Sequence, residues 1–384
     1  MPWVDEIRLD DSEALRALDS RDSLRSLASA GAQVRRAIVS AQEAGVASAA
    51  GGERPRSVLV AALGGSALVC DVLDLLAEPG SPVPVTTRRS APLPGWVGPL
   101  DLVIAVSQSG RAAGPLALAA EAARRGASLL TVGAADSPLA DVCARARGVH
   151  VDVALPAPSS RTALWSLLTP VLLAADALGL VHCPVSVLER VADVLDGVAD
   201  ECRPSSESFV NPAKVLALGL GATVPVVLGD GPLTGVAATR AASMLARTAR
   251  VPATHGALPD AASQVVACLD GPFGSGPDDS GGGRSDDLFA DPYLDGPPAQ
   301  RLGLLALRDP DLAPDAVALA DAVVASARET GIPVFEQEAR SGAPIERLAS
   351  LVALTDFMAT YLALGLGLDP SVSRHVTELR DRTS

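Results

Sequence analysis

The sequence predicts an α/β fold of two tandem domains, each a mostly parallel sheet flanked by helices. Three observations carry that expectation. Short apolar runs rich in β-branched residues alternate with Ala- and Leu-rich helical stretches. The alternation breaks at the turn-rich Arg203-Pro204-Ser205-Ser206 and then begins again. Two of the strand-like runs end in Ser/Gly turns that open directly into helices.

Taken in order, Met1 to Ala49 reads as a helical lead-in that packs on the first domain, with Leu15 and Leu18, Leu24 and Leu27, then Val34 and Ile38 at helical spacing. The first domain, residues 50–202, carries strand candidates at Val58–Leu63, Val83–Thr86, Leu102–Val106, Ser128–Val132 and Val149–Val153. Helices are expected from Arg161 to Leu180 and from Val185 to Asp200. The second domain, 207–368, repeats the cycle with a helix at Asn211–Leu218, a strand at Val224–Leu228, a Gly-rich turn at Gly229–Thr234 and a helix at Gly235–Arg250. Ser263–Leu269 is expected to lead into a strand, and the Gly-, Asp-, Ser- and Pro-rich stretch 271–298 reads as a disordered insertion. Leu302–Leu307, Asp315–Thr330, Pro333–Glu336 and Ile345–Leu364 complete this domain, and 369–384 reads as a C-terminal helix.

Composition sets the bounds. The 384 residues suffice for two α/β domains with sizeable cores. With 48% apolar but only 3% aromatic residues, Ala, Leu and Val must fill those cores. A net charge of −14 with no basic cluster argues against nucleic acid as a partner. Lysine occurs once, at Lys214, so Arg is nearly the sole cation. The five cysteines are odd in number, widely spaced and free of any C-x-x-C, the pattern of reduced thiols in a cytoplasmic protein. The acidic N-terminus is no signal peptide. The apolar stretch Leu164–Leu180 is short and contains Pro170 and Asp176, so it reads as a core helix, and no membrane partner is expected. None of the four histidines has metal-ligand spacing, so no metal is expected.

The candidate site begins with the two turns. Leu102–Val106 leads into Ser107-Gln108-Ser109-Gly110, with Pro115 near the start of the next helix and Gly126 closing it. Ser57–Leu63 leads into Gly64-Gly65-Ser66 and then a helix. Each turn offers hydroxyls and backbone N–H groups to an anion; the plainer alternative is turn-forming serine bonded to its own backbone. The pair Gly-Gly-Ser and Ser-X-Ser-Gly resembles the sugar isomerase (SIS) domain, and within it the chain is similar to the bifunctional phosphoglucose/phosphomannose isomerases. Ser160-Arg161-Thr162-Ala163-Leu164, Asn211-Pro212-Ala213-Lys214, Val251-Pro252-Ala253 and Asp369-Pro370 through Leu379-Arg380 match that family as well.

The resemblance implies two tandem SIS domains, a phosphosugar ligand, no cofactor and a homodimer. It assigns phosphate binding to Gly65, Ser66, Ser107 and Ser109. The family adds a threonine after the second serine; Ala112 stands there, preceded by Arg111, which supplies a charge in place of the hydroxyl. Arg161 matches the arginine that stabilises the enediol-like intermediate. The family's proton-transfer groups fare differently. An ungapped reading through Val251-Pro252-Ala253 and Pro259 places Arg247 at the catalytic glutamate and Ser263 at the catalytic histidine. Arg380 replaces the C-terminal lysine, and Ser373 keeps a hydroxyl where the family has threonine. Arginine is no general base near neutral pH, and serine is a poor one without an activating partner. His255, with Asp260 and Gln264 flanking the same loop, and His375 on the C-terminal helix are the candidate substitutes, with solvated surface residues as the alternative reading. Gly229-Asp230-Gly231 through Gly235 resembles a dinucleotide turn only weakly, since the spacing is G-x-G-x-x-x-G and Pro232 occupies part of the loop, so no NAD is expected. The expectation is a phosphosugar-binding protein with weak or lost isomerase activity, or a sugar-phosphate-sensing relative without turnover.

Overall fold

The computed structural model describes residues 4–51, 53–153, 159–274 and 301–383. The chain divides into two units: Arg25–Ala199 with Ala343–Glu346, and Met1–Leu24 with Asp200–Gly342 and Arg347–Ser384.

The first unit holds a five-stranded parallel sheet of β1 (Val58–Ala62), β2 (Val85–Arg88), β3 (Leu102–Ser107), β4 (Ser128–Gly133) and β5 (Val149–Asp152), in the order β2-β1-β3-β4-β5. β1 and β3 are buried along their whole length, which is why they read as unbroken apolar runs. Leu59, Ala61, Val103, Ala105 and Leu129 meet Leu118, Ala119 and Ala122 of the helix Ala113–Arg124 in one core.

The second unit holds a four-stranded parallel sheet of β6 (Thr223–Gly229), β7 (Thr254–Ala257), β8 (Arg301–Arg308) and β9 (Val334–Glu338), in the order β7-β6-β8-β9. The winding is that of β2-β1-β3-β4, so the two sheets repeat one plan. Both are α/β; a helix separates successive strands everywhere except between β2 and β3, which a loop joins.

Three features differ from the sequence expectation. Ser263–Leu269 lies in a helix, Ala262–Leu269, because Ala261, Val265 and Leu269 recur on one buried face. The strand before it is β7, whose Thr-His-Gly-Ala has no apolar alternation and exists through pairing with β6, His255 opposite Val227. The helical lead-in divides. Glu6–Asp10 and Ser12–Leu18 belong with the second sheet's unit, where Asp5 N–H and Arg8 Nη1 both donate to the Gly365 carbonyl at 2.9 Å. Asp10 accepts from the Ser208 N–H at 2.7 Å and lies 3.6 Å from the buried Lys214 ammonium. The helix Ala30–Glu43 stays with the first sheet.

Of the expected insertion 271–298, residues 271–274 form a turn in which the Gly274 N–H donates to the Gly271 carbonyl at 2.9 Å, and the rest lies outside the described residues. Among the described residues one helix, Pro344–Gly365, is long and apolar enough to cross a membrane by length and composition, and nearly all of its apolar window is buried in the protein. All five cysteines are free thiols, and burial pushes those of Cys70, Cys183 and Cys202 up to about 12.

The adjacency of β1 and β3 is set at their N-terminal ends by one buried carboxylate. Asp101 accepts from the Ser57 hydroxyl at 2.7 Å, from Arg56 Nε and Nη2 at 3.0 and 2.6 Å, and from the Gly98 N–H at 2.8 Å. Burial works to raise its pKa, but these donors outweigh burial and hold the carboxyl below the usual aspartate range. The stabilisation is therefore present above the unfolded pKa of about 3.9 and is lost as pH falls through the lower folded value. Asp101→Asn should destabilise the protein by roughly 2–3 kcal/mol at pH 7, with the gap from wild type narrowing below about pH 4. Urea unfolding at pH 7 and pH 3 measures this, and a gap of the same size at both would show that the charge plays no part.

Candidate functional site

Strand order reverses at β1 and β3: the chain moves from β1 outward to β2 on one side and returns to β3 on the other. In parallel sheets such a reversal leaves a crevice at the C-terminal strand ends. Val58 lies opposite Leu102 and Ala62 opposite Val106, so the two strands finish level and their turns leave side by side.

The first turn, Gly64–Ser66, is a single 3₁₀ turn followed by the helix Leu68–Ala77. Ser66 is 3% exposed, yet its hydroxyl bonds to no other side chain or backbone group among the described residues. The second turn folds back on itself. Ser107, 4% exposed, accepts from the Ala112 N–H at 3.3 Å, and the exposed Ser109 accepts from the Arg111 N–H at 3.3 Å. These are the self-bonds of turn-forming serines, but each hydroxyl accepts in them and keeps its own proton to donate. Arg111 is exposed at the same turn.

A third segment approaches. A Cβ on Gly65 would sit 2.4 Å from the Ser160 hydroxyl, so glycine there lets the Ser159–Thr162 turn close on the first. That turn is fixed by Gln33, whose side-chain amide donates to the Thr162 carbonyl at 2.9 Å. Arg161, half-buried, lies in it. The helices Leu68–Ala77, Ala113–Arg124 and Leu164–Ala177 all begin with no side chain capping their first turns. Their leading N–H groups therefore have no side-chain acceptor of their own. Hydroxyl donors and helix N-termini without a side-chain cap suit an anion, and the one carboxylate in these first turns is that of Asp71, in Leu68–Ala77.

Residues 209–383 match the family described as the bacterial phospho-glucose isomerase C-terminal SIS domain. A bifunctional phosphoglucose/phosphomannose isomerase of Caldicellulosiruptor bescii is 28% identical over 196 residues, which are 51% of this chain and 57% of that protein. The chain resembles the SIS-domain sugar isomerases. The aligned stretch spans little more than half of that relative. A hypothetical protein from Thermus thermophilus has the same fold with a TM-score of 0.69 at 14% identity, over 97% of this chain and 93% of that one. The C-terminal domain of glucosamine-fructose-6-phosphate aminotransferase from Francisella tularensis gives 0.61 at 11% identity, over 91% and 97%.

The SIS positions expected to carry proton transfer lie in the other unit. Arg247 is half-buried in Leu245–Ala249, a π turn that ends the helix Pro232–Met244. Such turns are rare and concentrate at functional sites. Arg250 closes it in the left-handed region at φ 59°, and its Nη2 donates to the Asp369 carbonyl at 2.6 Å and to the Val372 carbonyl. This clasp draws the segment that carries Ser373 to the turn that carries Arg247. Ser20 and Ser23 hold the same segment through Asp369 and Ser371, each at 2.5 Å.

Ser373 precedes the helix Arg374–Thr383, and its carbonyl accepts from the Thr377 N–H at 3.1 Å. Arg380 falls on that helix. Ser263 is exposed on Ala262–Leu269, and its hydroxyl has no partner among the described residues. His255, exposed on β7, lies 3.3 Å from the Thr239 hydroxyl, and His375 is solvated beside Glu378 at 3.5 Å. Gly229–Thr234 is closed on itself: the buried Asp230 carboxylate accepts from the Thr234 hydroxyl at 2.9 Å and from the Asp309 N–H at 3.0 Å.

Proposed function

We propose that the chain binds a phosphorylated hexose on the turns that end β1 and β3, and interconverts its aldose and ketose forms weakly or not at all. The observation that carries this reading is the pair of near-buried hydroxyls, Ser66 and Ser107, at the level ends of adjacent parallel strands. In this reading Gly65, Ser66, Ser107, Ser109 and Arg111 hold the phosphate and Arg161 faces the developing negative charge of the sugar. Ser373 is the further hydroxyl that the resemblance assigns to the ligand. The name of the Caldicellulosiruptor bescii relative supports glucose-6-phosphate, mannose-6-phosphate and fructose-6-phosphate as the ligands. The free thiols, three of them with pKa values pushed up by burial, support a cytoplasmic setting.

Ser107→Ala should weaken fructose-6-phosphate binding by roughly 1–2 kcal/mol, the scale of one hydrogen bond to a charged group. Titration calorimetry reads this directly, and equal affinity in the variant would remove the β3 turn from the site.

Turnover is a separate question. General acid–base groups contribute about 10²–10⁴-fold each, and neither Arg247 nor an unactivated Ser263 supplies one. A coupled assay on the three hexose phosphates should therefore read near background. The double variant Arg247→Glu, Ser263→His should raise the rate. Robust turnover insensitive to both positions would place the acid and base elsewhere, with His255 and His375 the first residues to change. The same two positions favour a second reading, a sugar-phosphate sensor without turnover, which the assay separates by a rate that stays at background in the presence of measurable binding.

The resemblance also supports a homodimer. Sedimentation velocity at micromolar concentration should give twice the 38.9 kDa chain mass, and a monomer alone would refute it.

A further inference from the structure

We propose that Arg89, at the exit of β2, is a second cation of the phosphate cradle beside Arg111, held by Asp71 until an anion takes the carboxylate's place. The inference rests on the reading of the β1 and β3 turns as a phosphate site, and adds to it a residue that no motif marks.

Two independent contacts place Arg89 at the crevice. β2 runs parallel to β1 with Arg88 opposite Ala61, so Arg89 leaves the sheet level with the end of β1. Its backbone then meets the helix that follows β3: a Cβ on Gly114 would stand 2.4 Å from the Arg89 carbonyl oxygen, and only glycine permits that approach. Its side chain goes the other way. Nη2 lies 3.4 Å from Asp71 Oδ1, in the first turn of Leu68–Ala77, the helix that follows Gly64–Ser66. One residue thus touches the first turns of both helices that open from the crevice.

Arg89 adds to a cradle that is mostly neutral. Ser66, Ser107 and Ser109 offer neutral donors, the hydroxyl that a threonine at position 112 would add is missing, since Ala112 stands there, and Arg111 is the one charge on the β1 and β3 turns themselves. A sugar phosphate brings nearly two negative charges, and a guanidinium meets phosphate through two parallel N–H bonds. Ser66 points independently to a ligand, being 3% exposed with its hydroxyl unbonded among the described residues. The pair with Asp71 suits exchange. It is long for a charged hydrogen bond, and the two side chains are 58% and 26% exposed, so water readily resolvates the carboxylate when the arginine turns to phosphate.

The test is calorimetry with fructose-6-phosphate and with inorganic phosphate at low and high salt, on wild type and four variants. Arg89→Gln should weaken both ligands about ten-fold or more and flatten the salt dependence, because the lost contact is charge-assisted. Arg89→Lys should recover part of the loss, keeping the charge without the fork. Asp71→Asn should tighten binding a few-fold by removing the competing carboxylate. Ser107→Ala serves as the control on the cradle itself. Arg89 is exposed, so an unchanged thermal melt of Arg89→Gln is expected and separates lost charge from lost fold. Wild-type affinity in Arg89→Gln, with Ser107→Ala impaired, would overturn the role of Arg89 and leave the cradle standing. A wild-type protein that binds neither ligand would overturn the phosphosugar reading and this inference together.

Discussion

The first sheet depends on the buried carboxylate of Asp101. It gathers Ser57 and Arg56, which enter β1, and the Gly98 N–H of the loop that enters β3. Backbone bonds continue the tie: Leu102 N–H donates to the Ser57 carbonyl at 3.0 Å and Ser128 N–H to the Asp101 carbonyl at 3.0 Å. Three strands are therefore brought into register from one point. Because parallel strands rise by the same amount per residue, a register fixed at one end fixes the other. The level exit of the Gly64–Ser66 and Ser107–Gly110 turns is the far consequence of that carboxylate. An aspartate buried this deeply is tolerated only because four donors face it, and none of its oxygens is left without a partner.

How much of this can be read from the sequence follows the range of the forces involved. β1 and β3 are legible because full burial writes itself as continuous β-branched and apolar runs. The Gly-Gly-Ser and Ser-Gln-Ser-Gly turns are legible because turn chemistry is local. β7 is not, since Thr254–Ala257 has no strand pattern of its own and is made a strand by β6. The split lead-in is equally invisible: Glu6–Asp10 and Ser12–Leu18 look like any short amphipathic helices, and their attachment is decided by Gly365 and Ser208, far along the chain. Arg89 belongs with these. Two arginines at a strand end look like solvated charge until β2 is set beside β1 and Gly114 admits the Arg89 carbonyl.

The two sheets share a winding but not a site. Where the first ends β1 in an open Gly-Gly-Ser turn, the second ends β6 in Gly229-Asp230-Gly231, and Asp230 fills its own turn. Burial pushes the pKa of that carboxyl up, opposed by the Asp309 N–H and the Thr234 hydroxyl. Arg347 then neutralises the neighbouring Asp309 at 2.9 Å and pairs with Asp311 at 2.5 Å. The second sheet thus carries an internal carboxylate where the first presents donors to whatever arrives. In the proposed reading, a repeated architecture needs its donors left open only once to make one anion site.

That asymmetry bears on chemistry in the proposed reading. Capture of a phosphate asks for hydroxyls, helix N-termini and a fixed positive charge, and the first unit supplies them from Ser66, Ser107, Ser109 and its arginines. Isomerisation asks for something else, a group that takes a proton at one carbon and returns it at the next near neutral pH. An arginine such as Arg247 is no general base near neutral pH. A solvated hydroxyl at Ser263 has no base bonded to it among the described residues. The two demands fall on different residues in different units, so a chain can lose the second and keep the first. What the Arg247 turn retains is structural definition: a π turn, a left-handed Arg250 and a clasp on the Asp369–Val372 backbone. Such geometry is expensive to keep in a loop of no use, and its cationic character suits holding an anionic ligand better than moving that ligand's protons.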